Sequence, residues 1–165
     1  MREESDVSSE DRKTQISGRH DDLGWISFGA FLIVIAAVYL TTPNIIHEVD
    51  LFIRDLELAK VYQRFELPVP SANHPVLYGA VERFCYVFGL VEIGILVFKW
   101  AKKSSVHGKA ETFSGVVFWL GAGYLFTLLS GAQLSWLDFL AWLIVLVGIS
   151  IISRALFIFA SRRSR

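Results

Sequence analysis

The sequence predicts an all-α, polytopic membrane protein, a bundle of four transmembrane helices with an extracytoplasmic amphipathic helix after the first span. Four apolar stretches, at about 24–42, 76–99, 113–131 and 136–159, approach the roughly 20 residues that cross a bilayer. Apolar residues make up 53% of the chain, and the charged residues, 19%, lie mostly between these stretches. This pattern predicts one membrane domain rather than a soluble globular one.

The chain divides into a membrane domain over residues 23–160 and two polar tails. Residues 1–22 contain almost no aromatic or branched apolar side chains. They bury too little surface to offset the entropy of ordering, so we expect a disordered cytoplasmic tail. Residues 161–165, Ser-Arg-Arg-Ser-Arg, form a basic cytoplasmic tail. Trp25 and Tyr39 lie near the two ends of the first span, where amphipathic rings favour the membrane interface.

The segment after the first span predicts an amphipathic helix over about residues 44–62. Thr42 and Pro43 are typical of a helix start, with threonine as the cap and proline in the first turn. Apolar residues then recur at spacings that alternate between four and three, which places them on one helix face; they are Ile45, Val49, Phe52, Leu56 and Ala59. The opposite face is too acidic to gain from anionic lipid. We therefore expect this helix to dock on the bundle or on a partner.

Three further segments connect the spans. Residues 67–75 hold three prolines, which exclude a regular helix and predict a connector. Residues 100–112 predict a basic cytoplasmic loop, and residues 132–135 a tight turn. Ser135 and Asp138 form the S-x-x-D pattern of a capping box, which indicates the start of the fourth span.

The distribution of lysine and arginine predicts a protein of the cell membrane with both termini in the cytoplasm. The N-terminal tail has four such residues, the C-terminal tail three and the 100–112 loop three. The 132–135 turn has none, and the much longer 43–75 segment has three. Because basic residues near span ends stay on the cytoplasmic side, the 43–75 segment is expected to face outward.

Charged side chains inside the predicted spans are the main candidates for binding or transport, because each costs about 2.5–3.5 kcal/mol on insertion scales. The candidates among them are Glu82, Arg83 and Glu92, and the other charged residues inside the spans are Asp138 and Arg154. Glu92 and Arg154 lie at similar depths, and the long Arg83 side chain can reach outward toward Asp138. We predict these two pairs as structural ion pairs. Glu82 is then the charge left over and the leading single candidate for a functional residue.

One face of the second span carries both acidic candidates. Tyr78, Cys85 and Gly89 share a stripe with Glu82 and Glu92 at helical spacing. A stripe of this composition is expected to face protein rather than lipid. Cys85 is predicted to be a packing residue, because a thiol in apolar surroundings is unreactive.

His47 and His74 are further binding candidates, since both lie in the outward segment. With Glu82 and Cys85 they offer nitrogen, oxygen and sulfur ligands, but no spacing motif joins them. The sequence therefore predicts no metal, no other cofactor and no catalytic residue. The formal net charge of zero gives no bias toward nucleic acid.

The function that this pattern favours is association within the membrane. The leading hypothesis is a non-enzymatic subunit, assembly factor or sensor that contacts the lipid bilayer and a protein partner or a second copy of itself. One alternative is a homo-oligomeric transporter or channel for protons or small ions that uses Glu82 and Glu92. A third hypothesis is a membrane-embedded, metal-dependent enzyme.

Overall fold

The computed structural model describes residues 25–62, 65–102 and 106–163. In chain order its elements are α1 (Trp25–Thr41), α2 (Ile45–Arg54), β1 (Leu56–Tyr62), β2 (Phe65–Pro70), α3 (Pro75–Ala101), α4 (Val106–Ser130) and α5 (Trp136–Arg163). The tail predicted over residues 1–22 and the end of the predicted basic tail lie outside the described residues. Contacts divide the chain after Ile33, and the packing described below is that of the unit Val34–Arg165.

The predicted fold class is confirmed, because α3, α4 and α5 are each long and apolar enough to cross a membrane. α4 contacts both α3 and α5 and is the most buried of the three helices. The core lies where these helices meet; its buried members are Tyr78, Cys85, Ala122, Leu125, Leu129, Phe139 and Leu146. The burial of Tyr78, Cys85 and Gly89 confirms that this stripe of α3 faces protein.

Glycines in α4 allow its two neighbours to approach closely. A Cβ atom at Gly123 would lie 3.0 Å from the ring of Tyr86 on α3. A Cβ atom at Gly121 would collide with the side chain of Leu146 on α5. Close approach through small residues is a general means of packing helices in membranes, where burial of apolar surface gives little driving force.

The basic loop predicted over residues 100–112 is shorter in the structure. α3 continues to Ala101, and α4 already begins at Val106. Ala110 is fully buried, and the amine of Lys99 donates hydrogen bonds to the first turns of α4. The polar sequence after the second span therefore continues as helix, because its residues pack and bond between α3 and α4 rather than extending into solvent.

The chain turns by 90° between α1 and α2. We call this bend the elbow, residues 42–44. Asn44, not Thr42, is the residue before α2; its φ is 54°, in the left-handed region, and its side chain makes no capping hydrogen bond. α1 has 17 described residues and is long and apolar enough to be a candidate membrane span only together with α2. Its role as the first of four spans therefore stays a prediction.

The amphipathic helix predicted over 44–62 ends at Arg54 in the structure. Leu56–Tyr62 instead forms β1, which pairs antiparallel with β2 in the register Leu56↔Pro70 and Ala59↔Leu67. Residues 67–70 of the predicted connector thus belong to strand β2. From Phe65 to Pro70, apolar residues alternate with glutamate or proline, which is the pattern of a strand with one apolar face. Both strands are edge strands, so a proline can occupy a position whose N–H is not needed for pairing with the other strand.

Candidate functional site

The segment between α1 and α3 docks on one end of the helix bundle, and Asp55 joins its parts. We call α2, the β-hairpin and residues 71–74 the cap. The backbone N–H of Ala72 donates to Oδ2 of Asp55 over 2.7 Å, and the Ser71 hydroxyl donates to its carbonyl oxygen over 3.1 Å. Nε2 of His74 lies 3.0 Å from the same Oδ2. Asp55 therefore joins the end of α2 to the segment that enters α3.

The hydrogen bonds to Asp55 stabilise its ionised form. The N–H of Ala72 and then the ring of His74 lower the pKa of Asp55 below its ordinary value of 3.8. Bonds to a carboxylate favour the charged state because they are stronger than bonds to the neutral acid. The cap is therefore anchored by a carboxylate that is negative at neutral pH.

Four aromatic rings attach the cap to the ends of α3 and α5. The Phe52 ring lies 5.4 Å from the ring of His74, 6.2 Å from Tyr78 and 5.6 Å from Trp136. Tyr78 and Trp136 stack with their centroids 6.1 Å apart, and the indole N–H of Trp136 donates to the carbonyl of Pro68. His74 is only 8% exposed within this cluster. The contacts give His74 a structural role in fixing the cap.

Glu82, the leading candidate, bonds to hydroxyl groups in the structure. The hydroxyl of Thr127 donates to Oε1 of Glu82 over 2.9 Å, and the Tyr86 hydroxyl lies 3.2 Å from the same Thr127 oxygen. The Thr127 hydroxyl also lies 3.1 Å from the carbonyl oxygen of Gly123, and either Tyr86 or Thr127 can donate between their two hydroxyls. These residues form a short chain of hydrogen bonds between α3 and α4, near the cap end of the bundle.

Arg83 lies beside Glu82 in sequence but on an exposed face of α3. Among the described residues, the ion pairs closer than 4.0 Å are Asp50–Arg54 and Asp55–His74, so the predicted Arg83–Asp138 pair is not formed. Asp138 instead accepts a hydrogen bond of 2.6 Å from the hydroxyl of Ser135 and donates its own N–H to that hydroxyl. The predicted helix start is confirmed in part: the Ser135 hydroxyl accepts the N–H of Asp138, whereas the Asp138 carboxylate bonds to that hydroxyl rather than to the backbone N–H of Ser135.

Glu92 lies toward the other end of the α3–α4 interface. Its carboxylate lies against Gly115, and it interacts electrostatically with Lys99 and Glu111. The predicted pairing of Glu92 with Arg154 stays a prediction. Lys99 was not predicted as a structural residue, although a lysine seven positions after Glu92 lies on the same helix face.

The two acids of α3 are separated by tight apolar packing. Glu82 and Glu92 are ten residues apart, about 15 Å along the helix. Between them a Cβ atom at Gly89 would lie 2.9 Å from the side chain of Leu120 and 3.5 Å from Trp119. Within one copy of the chain, tightly packed apolar side chains therefore lie between Glu82 and Glu92.

The second candidate histidine, His47, lies next to the elbow and not with His74. It lines an open cavity of about 780 Å³ together with Tyr39, Thr42 and Asp50. Within the described residues, no three histidine, cysteine, aspartate or glutamate side chains are grouped as a metal site. The Thr127 hydroxyl carried no motif, because a single threonine in an apolar helix has no characteristic spacing.

Comparisons with protein families, with curated proteins and with solved structures gave no match to this chain.

Proposed function

We propose that the chain is a four-span protein of the cell membrane that acts as a non-enzymatic subunit, assembly factor or sensor. In this proposal α1 is the first span, both termini are cytoplasmic and the cap faces outward. The protein acts by association with another membrane protein or with a second copy of itself. The distribution of basic residues supports the orientation.

The exposed position of Arg83 within α3 is the observation that supports this proposal most directly. It lies eight residues into α3 and about 7.5 Å beyond Tyr78, whose ring stacks in the aromatic cluster at the cap end. Its side chain is exposed, and the described residues provide no hydrogen bond or ion pair to it. An exposed cation inside a span costs about 2.5–3.5 kcal/mol in lipid. A carboxylate on a neighbouring transmembrane helix offsets that cost.

The exposed residues around Arg83 supply a surface for such a helix. Val76, Leu90 and Val97 are exposed at intervals of seven residues on either side of it. Heptad spacing is the spacing at which two helices can stay in contact over several turns. The proposed partner is therefore a transmembrane helix with an acidic side chain level with Arg83.

Purification of the tagged, full-length chain from its native membrane in a mild, uncharged detergent tests the association. The expected result is a stoichiometric partner or a stable homo-oligomer, identified by mass spectrometry. Arg83→Ala should release it, whereas the control Ile144→Ala, at an exposed position of α5 outside this surface, should retain it. Recovery of the same monomer from wild type and Arg83→Ala would refute the proposal and leave Arg83 as a side chain that reaches the head groups.

A homo-oligomeric transporter for protons or small ions is the second candidate. The hydrogen-bonded chain from Tyr86 through Thr127 to Glu82 supports it, because proton transfer uses such chains. The packing at Gly89 opposes a path inside one copy. Reconstitution in liposomes separates the two functions: transport requires flux that Glu82→Gln changes, and absence of flux from the wild-type oligomer excludes it.

A further inference from the structure

α2 keeps an exposed apolar surface although it docks on the bundle. Ile46 and Ile53 are 68% and 61% exposed, and Val49 is exposed as well. At about 100° per residue, these three side chains lie within about 60° of one another around the helix axis. We call them the α2 stripe. A contiguous group of exposed apolar side chains is typical of a surface that contacts a membrane or another protein.

The α2 stripe lies beside the surface through which α2 contacts the rest of the chain. The Phe52 ring packs in the aromatic cluster, and Asp55 bonds to the residues before α3. Helical rotation places the α2 stripe next to Phe52, with Asp50 and Arg54 beyond it. One side of α2 therefore contacts protein, the next is apolar and exposed, and the third carries an exposed ion pair. This order suits a helix that lies against the bundle and on a membrane surface at the same time.

The docking contacts place α2 level with the beginnings of two candidate spans. The Phe52 ring lies 6.2 Å from the ring of Tyr78, which is near the start of α3, and 5.6 Å from that of Trp136, the first residue of α5. Both α3 and α5 are long and apolar enough to cross a membrane. The ends of such helices lie where hydrocarbon meets the head groups and water. α2 therefore lies at the level of that boundary.

The elbow continues the apolar surface of α1 onto the α2 stripe. The cavity at the elbow is open, and Leu40 of α1 and Ile46 of the stripe both line it and are both exposed. The axes of α1 and α2 meet there at 90°. In the proposed topology α1 crosses the bilayer, so α2 runs along its surface. The inner side of the bend, with Leu40 and Ile46, then faces the lipid.

The charges of α2 favour contact through apolar side chains over attraction to charged head groups. α2 and the residue after it carry three acids, Glu48, Asp50 and Asp55, but one arginine, Arg54. Arg54 lies 2.9 Å from the Asp50 carboxylate, so this pair adds no net charge beside the stripe. Helices that lie on membranes bind through buried apolar area and through attraction to anionic lipid. Only the first of these contributions is open to α2.

We infer that α2 is an interfacial helix, and that Ile46, Val49 and Ile53 insert between the head groups and acyl chains of a zwitterionic phospholipid bilayer. The inference rests on the proposed topology, in which α1 is a span and the cap faces outward. It does not depend on the association proposed for Arg83. The cap is then held from two sides, by the aromatic cluster and by lipid.

Fluorescent labels on single cysteines test this contact in the full-length chain, reconstituted in phosphatidylcholine liposomes. A nitrobenzoxadiazole label, whose emission depends on polarity, is attached through Ile46→Cys or Ile53→Cys. Leu51→Cys is the matched control, because Leu51 is an apolar residue of α2 that is 40% exposed and lies opposite the stripe. Ile144→Cys on α5 is the control for lipid contact. The native Cys85 is buried, and the labelled wild type measures its background.

The labels at positions 46 and 53 should behave as the label at 144 does. Their emission should shift to shorter wavelength, and phosphatidylcholine with a nitroxide on its acyl chain should quench them. The label at position 51 should instead be quenched by iodide from the aqueous phase. High salt should leave the lipid quenching unchanged, because it screens charges and not apolar contact. Loss of that quenching at high salt would overturn the apolar contact.

Two further results would overturn the interfacial helix while leaving the membrane spans in place. One is iodide quenching at positions 46 and 53 equal to that at 51, with lipid quenching retained at 144. The other is protection of 46 and 53 from both quenchers, which would show that a partner protein or a second copy covers the stripe. Absence of lipid quenching at 144 would contradict the proposed membrane topology itself, and the interfacial helix with it.

Discussion

The carboxylate of Asp55, at the end of α2, lies 3.0 Å from Nε2 of His74, the residue immediately before α3. This contact joins two residues that are 19 positions apart in the chain, and the whole β-hairpin lies between them. A two-stranded hairpin is marginally stable alone. The Asp55–His74 contact and the ring of Phe52 therefore hold the hairpin against the bundle and determine where the cap lies.

We predict that Asp55→Ala loosens the cap without unfolding the transmembrane helices. The change leaves the N–H of Ala72 and the ring of His74 without their shared acceptor. Limited proteolysis should cut the cap several-fold faster, because local opening exposes the backbone. Asp50→Ala is the matched control, since its pair with Arg54 is an exposed contact within one helix. Equal cleavage rates in both variants would contradict the anchoring role of Asp55.

The anchoring of the cap should weaken in acid. The folded-state pKa of Asp55 lies below the ordinary value of 3.8, mainly because of the Ala72 N–H and the His74 ring. A depressed carboxylate pKa gives stability that is complete above the ordinary value and is lost as the pH falls through the folded-state value. Hydrogen exchange at Ala72, corrected for the intrinsic rate, should therefore accelerate only at the acid end. The same profile in Asp55→Asn would contradict this assignment.

We expect Gly121→Ala to destabilise the α4–α5 contact. The added methyl group would collide with Leu146, and overpacking of this kind costs about 1–3 kcal/mol. Gly148→Ala on α5 is the control, because no atom lies within 4 Å of its added Cβ. That change should be neutral or stabilise the helix by up to about 1 kcal/mol. Thermal unfolding in detergent measures both, and a lower midpoint for Gly148→Ala alone would contradict the packing.

Lys99→Ala should destabilise the junction between α3 and α4. Its amine donates to the carbonyl of Gly108 and to the hydroxyl of Thr112, which is itself buried. Loss of bonds from a charged donor costs about 1–3 kcal/mol. Lys102→Ala removes a nearby lysine whose amine lies over the ring of Phe98, and it should cost less. Equal unfolding midpoints for the two variants would show that the Lys99 bonds contribute little.

The sequence predicted the long helices well and the segment between α1 and α3 only in part. Hydropathy identifies α3, α4 and α5, because the length of a span follows from the thickness of the bilayer. The apolar spacing from Ile45 to Ala59 satisfies a helix throughout, yet the helix ends at Arg54. The strand that follows depends on pairing with Phe65–Pro70, and a helical pattern within one segment contains no information about that pairing.

The partners of the candidate residues could likewise be predicted only in part. Helix periodicity placed Glu82 on a protein-facing stripe, whereas depth alone paired the other charged residues and left Glu82 without a partner. The actual partner of Glu82 is the hydroxyl of Thr127, and Asp138 uses its carboxylate for a local bond with the hydroxyl of Ser135. Local motifs are readable from sequence, whereas the choice among partners on other helices depends on rotation about the helix axes. Arg83 is left without the partner that the sequence predicted.

Photocrosslinking in the native membrane tests the central claim most directly. A photoreactive amino acid at Val87, one turn from Arg83 on the exposed face of α3, reports what covers that face. Ile144 on α5, which is 73% exposed, is the control position for lipid contact. The association proposed here predicts a protein adduct from position 87 that disappears with Arg83→Ala. Lipid adducts alone from position 87, as from position 144, would contradict it.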